Sequence, residues 1–334
     1  MASVDSKQKN HGIFINIGFN KGFNFASWMN RFAPWTQINA GIWFGLLEKI
    51  NPVNVYAYGK DYKDICGNCG CCYDCKEVVP LTWTNDFAAA ERNYSFIGMD
   101  LNKQTVLLTE KLMQTFNASH KLHQHGISWY LVQGAGSDKD GIVKVPKCVP
   151  GSEICRIAET EKKQLEEMQT TSTDSFEDIR AIPVDTLFLE YLKMHYKTKS
   201  HLMEALDHWH ANDSRPLGHN KLHKVIDVLK IDTEGFDAKV IEGASHLLKQ
   251  RAFRSISFEY HSIGLWPSLK LKDAVNLLAQ YDYDCFFEGS GRLWRITSSC
   301  WDEQYEFHVW SNVLCMLRGD IWHETIDKFV VRRC

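Results

Sequence analysis

A chain of 334 residues with 44% hydrophobic and 24% charged side chains has enough apolar material for a packed core and too much for global disorder. Its formal net charge of −3 gives no basic footprint for nucleic acid or an anionic membrane surface, so no nucleic-acid partner is expected and a small or neutral substrate fits better. The start lacks the apolar core of a secretory signal and no window approaches the roughly 18 apolar residues of a spanning helix, so a cytoplasmic protein without a membrane segment is expected.

Residues 11–18 form a short apolar run ending in glycine, Gly22 follows, and a helical pattern runs through Phe25, Trp28, Met29 and Phe32. That order reads as strand, glycine turn, helix. The pattern breaks after Pro34, and residues 34–93 read as an insertion with a helix over 42–50 and a cysteine-rich loop behind it. A second buried strand spans 94–99 and ends at Asp100, with its helix over 103–116. A third strand covers 127–133 and runs into a turn over 134–141. Residues 156–224 are charged, helical in pattern and rich in histidine, and read as a second insertion or cover layer that rejoins the core over 182–191.

The most strand-like segment is 225–231, a continuous apolar run suited to the centre of a parallel sheet, which breaks at Asp232 and passes into a helix over 238–248. A strand over 255–260, a helix over 271–279 and strands over 285–287 and 309–317 complete the pattern. Repeated strand-then-helix order predicts an α/β fold with a doubly wound, mostly parallel sheet. The chain reads as one domain over 1–334 carrying the two insertions.

In such a sheet, ligands bind outside the carboxyl ends of the strands where the winding reverses. Four segments follow strands: 16–22, 99–102, 133–137 and 232–235. In Asn16-Ile-Gly18-Phe-Asn20-Lys-Gly22 the glycines let the backbone turn tightly and approach a ligand, although a turn with no ligand reads equally from these residues alone. The spacing is not Gly-x-Gly-x-x-Gly, which weighs against a nicotinamide-dependent oxidoreductase. Asp100 sits where a carboxylate could accept both hydroxyls of a ribose, or could cap the helix that follows Asp100-Leu101-Asn102.

Of the 11 cysteines, five fall between Cys66 and Cys75. Cys66 with Cys69, and Cys72 with Cys75, form two Cys-x-x-Cys hooks whose thiolates suit one tetrahedral structural zinc, a cramped arrangement to which Cys148 and Cys155 could add reach. Disulfides, redox-active thiols and free cysteines are the alternatives. In each case the loop staples the insertion or shapes a substrate mouth.

The segment Lys230-Ile231-Asp232-Thr-Glu234-Gly235-Phe-Asp237-Ala-Lys-Val240-Ile241-Glu-Gly243-Ala244 follows the pattern Lys-Ile-Asp-x-Glu-Gly-x-(Asp/Glu)-x-x-Val-(Leu/Ile)-x-Gly-Ala. With residues 13–22, Ser257-Phe-Glu-Tyr-His261 and Ser311-Asn-Val-Leu314, it resembles the FkbM family of methyltransferases. The resemblance implies a Rossmann-like class I methyltransferase sheet of seven strands, the last antiparallel, with S-adenosyl-L-methionine as cofactor. Carried over by position, Asn16, Gly18, Asn20 and Gly22 would pass the methionine end of the cofactor, Asp100 and Leu101 its ribose, and Gly134, Ala135 and Ser137 its adenine, with Asp232 closing the set. Many members carry aspartate where this chain has Asn16.

The implied reaction is O-methylation of a hydroxyl on a sugar, glycan or glycosylated small molecule. The cofactor carries the hard chemistry, so the protein must position the acceptor and offer a base for its proton. Asp232, Glu234 and His261 are the catalytic candidates, His261 as proton acceptor because an imidazole titrates near neutrality. The plainer readings are a carboxylate at a helix N-terminus for Glu234 and a structural histidine for His261. Asp232 and Glu234 also suit a hard divalent cation. The rival from another class is a non-catalytic binding or scaffold protein that uses the cysteine- and histidine-rich insertions for partners.

Overall fold

The computed structural model describes residues 11–50, 93–148, 155, 157, 176–195, 226–289 and 291–332. The hooks Cys66, Cys69, Cys72 and Cys75, and much of the histidine-rich stretch, lie outside the described residues. The first strand, β1 (His11–Ile17), is buried along almost its whole length, because its uncharged run suits a strand covered on both faces. It leads into α1 (Phe23–Phe32), a 3₁₀ turn at Pro34–Thr36 and α2 (Ala40–Ile50). Then come β2 (Asn93–Asp100), α3 (Lys103–His120), β3 (Ile127–Gln133), β4 (Ala135–Gly136), β5 (Gly141–Pro146), β6 (Phe176–Ile182) and α4 (Val184–His195). The remainder is β7 (Ile226–Ile231), α5 (Asp237–Glu242), α6 (Ser245–Lys249), β8 (Phe253–Tyr260), α7 (Leu271–Gln280), β9 (Tyr283–Gly289), β10 (Arg292–Arg295), β11 (Ser311–Leu317), α8 (Ile321–Ile326) and β12 (Val330–Arg332).

The main sheet runs β12-β10-β9-β11-β8-β7-β1-β2-β3. From β1 the chain builds outward through β2 to β3, all parallel, then returns to lay β7 and β8 parallel on the other side of β1. The winding reverses between β1 and β7, the place where sheets of this kind bind ligands beyond their strand ends. The α/β layering matches the expectation, but the sheet has nine strands rather than seven. The additions, β10 and β12, are too short to show a sequence period. Three strands run against the rest instead of one: β11 is antiparallel to β8 and β9, β10 is antiparallel to β9, and β12 is parallel to β10.

A separate sheet, β4-β6-β5, corrects two further expectations. The turn read over 134–141 contains β4, and residues 176–182 of the segment read as helical form a strand paired with β4 and β5. The single helix expected over 238–248 is two, with Gly243 and Ala244 between them, and position 243 must be glycine because a Cβ there would stand 1.9 Å from the Ser137 carbonyl oxygen. The chain bends away between α5 and α6.

Two apolar clusters cover the faces of the main sheet. One packs α4, α5, α6 and α7 against Ile15, Ile17, Leu229, Ile231 and Ile256. The other packs α1, α2, α3 and α8 against Phe14, Phe96 and Val228. Trp43 and Leu47 of α2 are fully buried, and the Trp43 Nε1–H donates to the Lys21 carbonyl at 2.8 Å. This part of the segment read as an insertion therefore belongs to the core. Cys148 is bonded to Cys155 and Cys285 to Cys315, so Cys148 and Cys155 are not free thiolates for a metal, as the sequence reading had allowed. Among the described residues no helix is long and apolar enough to cross a membrane.

Candidate active site

The ends of β1, β2 and β7 are stitched together by backbone hydrogen bonds. Gly18 N–H donates to the Met99 carbonyl at 2.8 Å, and Asp232 N–H donates to the Ile17 carbonyl at 2.9 Å. Gly18 adopts φ 78°, and a Cβ on it would lie 1.7 Å from the Asp232 carbonyl oxygen, so the residue must be glycine for the two strand ends to close. Gly22, at φ 77°, caps α1.

Asp100 braces the turn between those glycines. Its Oδ2 accepts the Asn20 N–H at 2.8 Å and its Oδ1 the Asn102 N–H at 2.9 Å. The cap of α3 is Asn102, whose side chain accepts from Gln104 and Thr105, so Asp100 is not spent on capping. Burial pushes its carboxyl up to about 6, the charge of Asp232 adds to that, and the two N–H groups oppose it. Each carboxylate oxygen keeps a lone pair for a further donor.

Asp237 holds the loop after β7 against the end of β8. Its Oδ2 accepts from Thr233 Oγ1 at 3.0 Å and from Gly235 N–H at 3.2 Å, while its Oδ1 accepts the Glu259 N–H at 3.2 Å. Glu234 lies in left-handed conformation at φ 54°, costly for a side chain with a Cβ and kept only where surroundings enforce it. Here the enforcing contact is the loop after β8: a Cβ on Gly264 would meet the Glu234 carbonyl at 2.6 Å, and one on Gly235 the Ile263 carbonyl at 2.2 Å.

His261 is buried and stacks on the exposed Trp310 at 4.6 Å between ring centroids. Its Nδ1 accepts the Ile263 N–H at 3.1 Å, which assigns the neutral ring's proton to Nε2 and leaves the ring a donor. This geometry speaks against His261 as proton acceptor, because taking a proton at Nδ1 would break the turn that holds the ring.

A row of polar side chains crosses the α1 face of the sheet near the carboxyl ends of the strands. Asn16 pairs in register with Lys230, Lys230 with Ser257, and Glu259, two residues further along β8, with Asn312. Register partners and residues two apart share a face. Lys230 Nζ and Glu259 Oε1 stand 3.9 Å apart. Asn16 is fully buried, yet among the described residues neither polar atom of its amide has a hydrogen-bond partner, and the same holds for Glu259 Oε2 and Asn312 Oδ1. Burial pushes the Glu259 carboxyl up to about 9, with the charge of Asp232 adding and Lys230 opposing. Burial would lower the Lys230 ammonium, but Asp232, Glu259, Glu288 and Asp237 outweigh it and hold it above its ordinary value.

The structure thus places Asn16, Gly18, Asn20, Asp100 and Asp232 at the adjoining carboxyl ends of β1, β2 and β7, with Glu234 and His261 on the loops after β7 and β8. Gly134 is tied to them by its N–H, which donates to the Asp100 carbonyl at 2.9 Å. Leu101 packs against the small cluster around Ala135 and Phe236, and Ser137, also buried, bonds Asp138, so these side chains shape a wall. Lys230 and Asn312 were not singled out as site residues from sequence; the signal was strand parity, which acquires meaning only once the register is known. Among the described residues no three His, Cys, Asp or Glu side chains group as metal ligands would, which leaves the divalent-cation reading of Asp232 and Glu234 without a third ligand there.

Residues 157–285 match the family model described as Methyltransferase FkbM domain. The matched span holds β6 to β8 with their helices and the start of β9, while β1 to β3, with Asn16, Gly18 and Asp100, precede it. No curated protein and no solved structure matches the chain.

Proposed function

The chain carries a methyltransferase FkbM domain, and from that premise we propose that it is an S-adenosylmethionine-dependent methyltransferase acting on a hydroxyl of a sugar, glycan or glycosylated small molecule. The observation that carries the reading is the convergence at the β1–β7 reversal: an orphaned buried amide at Asn16, a braced carboxylate at Asp100 and a second carboxylate at Asp232. The strand order supports it, since β3-β2-β1-β7-β8-β11-β9 contains the seven strands that the resemblance implies, with β10 and β12 appended at the edge.

The residues fit the group. Asn16 offers both a donor and an acceptor to the amino-acid end, Asp100 offers its free lone pairs to the ribose hydroxyls, and Leu101 with Gly134 and Ala135 forms an apolar wall for a flat base. When bound, S-adenosylmethionine supplies a methyl group made electrophilic by its sulfonium. Asp232 places a negative charge beside that end of the crevice, and Glu234, fixed by its backbone, faces the acceptor side. His261 Nε2–H orients an acceptor oxygen. The exposed ring of Trp310 beside it offers a flat apolar surface to one face of a sugar.

Titration calorimetry with S-adenosylmethionine and separately with NAD tests the reading. Binding of the first alone is expected. Binding of NAD alone would move the protein to hydride transfer, and binding of neither would favour the scaffold reading.

A further inference from the structure

Methyl transfer to a hydroxyl needs a base, and besides Asp232 and Glu234 four further side chains stand near the strand ends, which are not equivalent. His261 is set as a donor by the Ile263 N–H. Asp100 is braced by two backbone donors at the ribose end. Asp237 spends both oxygens on Thr233, Gly235 and Glu259 N–H. Glu259 differs from all of these: it is 7% exposed, one oxygen faces Lys230 at 3.9 Å, and the other is buried with no hydrogen-bond partner among the described residues. Its register partner Asn312 also presents a buried, unpartnered oxygen, and Asn16 closes the same row beyond Lys230. A buried carboxyl oxygen left open between two open amides is a place for a ligand hydroxyl.

Resting on the methyl-transfer reading, we propose that Glu259 is the catalytic base, that its Oε2 takes the acceptor's proton, and that the positive sulfonium of the bound cofactor arms it for that step. In the transfer the hydroxyl oxygen's lone pair forms the new O–CH3 bond, the S–CH3 bond breaks with its electrons remaining on sulfur as a neutral thioether, and the hydroxyl proton passes to Glu259 and then to solvent. Lys230 is the positioning partner that holds Oε1, and the Asn312 amide holds the acceptor in line.

The charges facing Glu259 explain the arming. Asp232 and Glu234 from the loop after β7, and Asp237 from α5, all disfavour its ionisation, and Lys230 alone among them favours it. Glu288 on β9 faces Lys230 in turn, and Arg31 at the end of α1 faces Glu288. Without cofactor the balance keeps the proton on Glu259. A cation arriving at the Asp232 end of the crevice offsets the carboxylates and lowers the Glu259 carboxyl toward ionisation, so a bound methyl donor raises the share of the protein that carries the base. The demethylated product is neutral at sulfur and lacks this effect.

Carbon NMR of full-length protein labelled with [δ-13C]glutamate reads this directly, with the Glu259 resonance assigned by its loss in Glu259→Gln. The expected midpoint lies above neutral pH in the free protein, falls by about one pH unit with S-adenosylmethionine bound, and does not fall with S-adenosylhomocysteine. Calorimetry on the same samples separates the failures. If neither nucleoside binds, the methyl-transfer reading falls and takes this assignment with it. If both bind and the midpoint does not distinguish them, or lies in the ordinary carboxylate range throughout, Glu259 is not the armed base and the methyl-transfer reading stands. Glu259→Gln should bind S-adenosylmethionine within about threefold of wild type; a loss beyond about 100-fold would make Glu259 part of the cofactor site instead.

Discussion

Replacing Asp100 with alanine should weaken S-adenosylmethionine binding about 100-fold. The figure follows from two ribose hydroxyls donating to one carboxylate. Charge-assisted hydrogen bonds contribute about 1.5 to 3 kcal/mol each, some of it returned because a vacated site readmits water, which leaves about 3 kcal/mol, or two decades in Kd. The same carboxyl dictates a pH dependence. Burial holds it at about 6, so affinity should be level above pH 7 and fall as pH drops through 6, approaching tenfold per unit below it. The sign for stability is opposite. A folded value of about 6 against 3.8 means the folded protein holds the proton more tightly than the unfolded chain, so stability declines as pH rises from about 4 to 6. A rise of about two units corresponds to about 3 kcal/mol at neutral pH, an upper figure because Asp100, at the end of β2, is only partly shielded from water. Alanine removes that cost but frees the Asn20 and Asn102 N–H groups, each worth about 1 kcal/mol, so the variant should unfold within about 2 kcal/mol of wild type. Calorimetric titration from pH 5 to 8 with parallel urea unfolding measures both. Affinity that is unchanged within twofold in the variant and flat with pH in the wild type would refute the assignment of Asp100 to the ribose.

Gly235→Ala should destabilise the fold by about 3 kcal/mol by urea unfolding, because φ is +93° and the new Cβ would stand 2.2 Å from the Ile263 carbonyl oxygen. The loops after β7 and β8 would have to part, so any nucleoside affinity should drop with it. Trp43→Ala should cost about 3 to 5 kcal/mol, since the ring is fully buried and its N–H bonds Lys21; a cost under about 1 kcal/mol would show that α2 is not core. Burial alone would raise the Asp284 carboxyl, but His323 at 3.0 Å, Arg295 at 2.7 Å and Arg318 at 3.0 Å outweigh it and hold it at about 2. Its stabilisation, about 2 kcal/mol, is therefore complete above pH 4 and lost as pH falls through 2, and Asp284→Asn should remove it at pH 7 and flatten acid unfolding.

The parallel centre of the sheet was legible because strands covered on both faces must be continuously apolar, and residues 11–17 and 226–231 are. The reversal between β1 and β7 followed from strand-then-helix order, and with it the meeting of Gly18, Asp100 and Asp232. What escaped were elements whose existence depends on a partner. The β4-β6-β5 sheet and the added β10 and β12 are made by pairing and not by pattern. The row from Asn16 through Lys230 and Glu259 to Asn312 joins residues nearly 300 positions apart, and only the register puts them on one face. His261 was chosen for the titration range of imidazole, a property of the side chain, whereas the turn to Ile263 decides which ring nitrogen is free to act.

The position of β11 has a consequence for synthesis. It is the wedge between β8 and β9, so while the chain is still leaving the ribosome those two strands expose unsatisfied backbone edges to anything nearby. Only when residues 311–317 slide in does the seam zip shut, and only then can Cys285 reach Cys315 directly across it. Closure of this half of the sheet thereby waits on residues 311–317, with the covalent bond acting as a latch on a gap already filled.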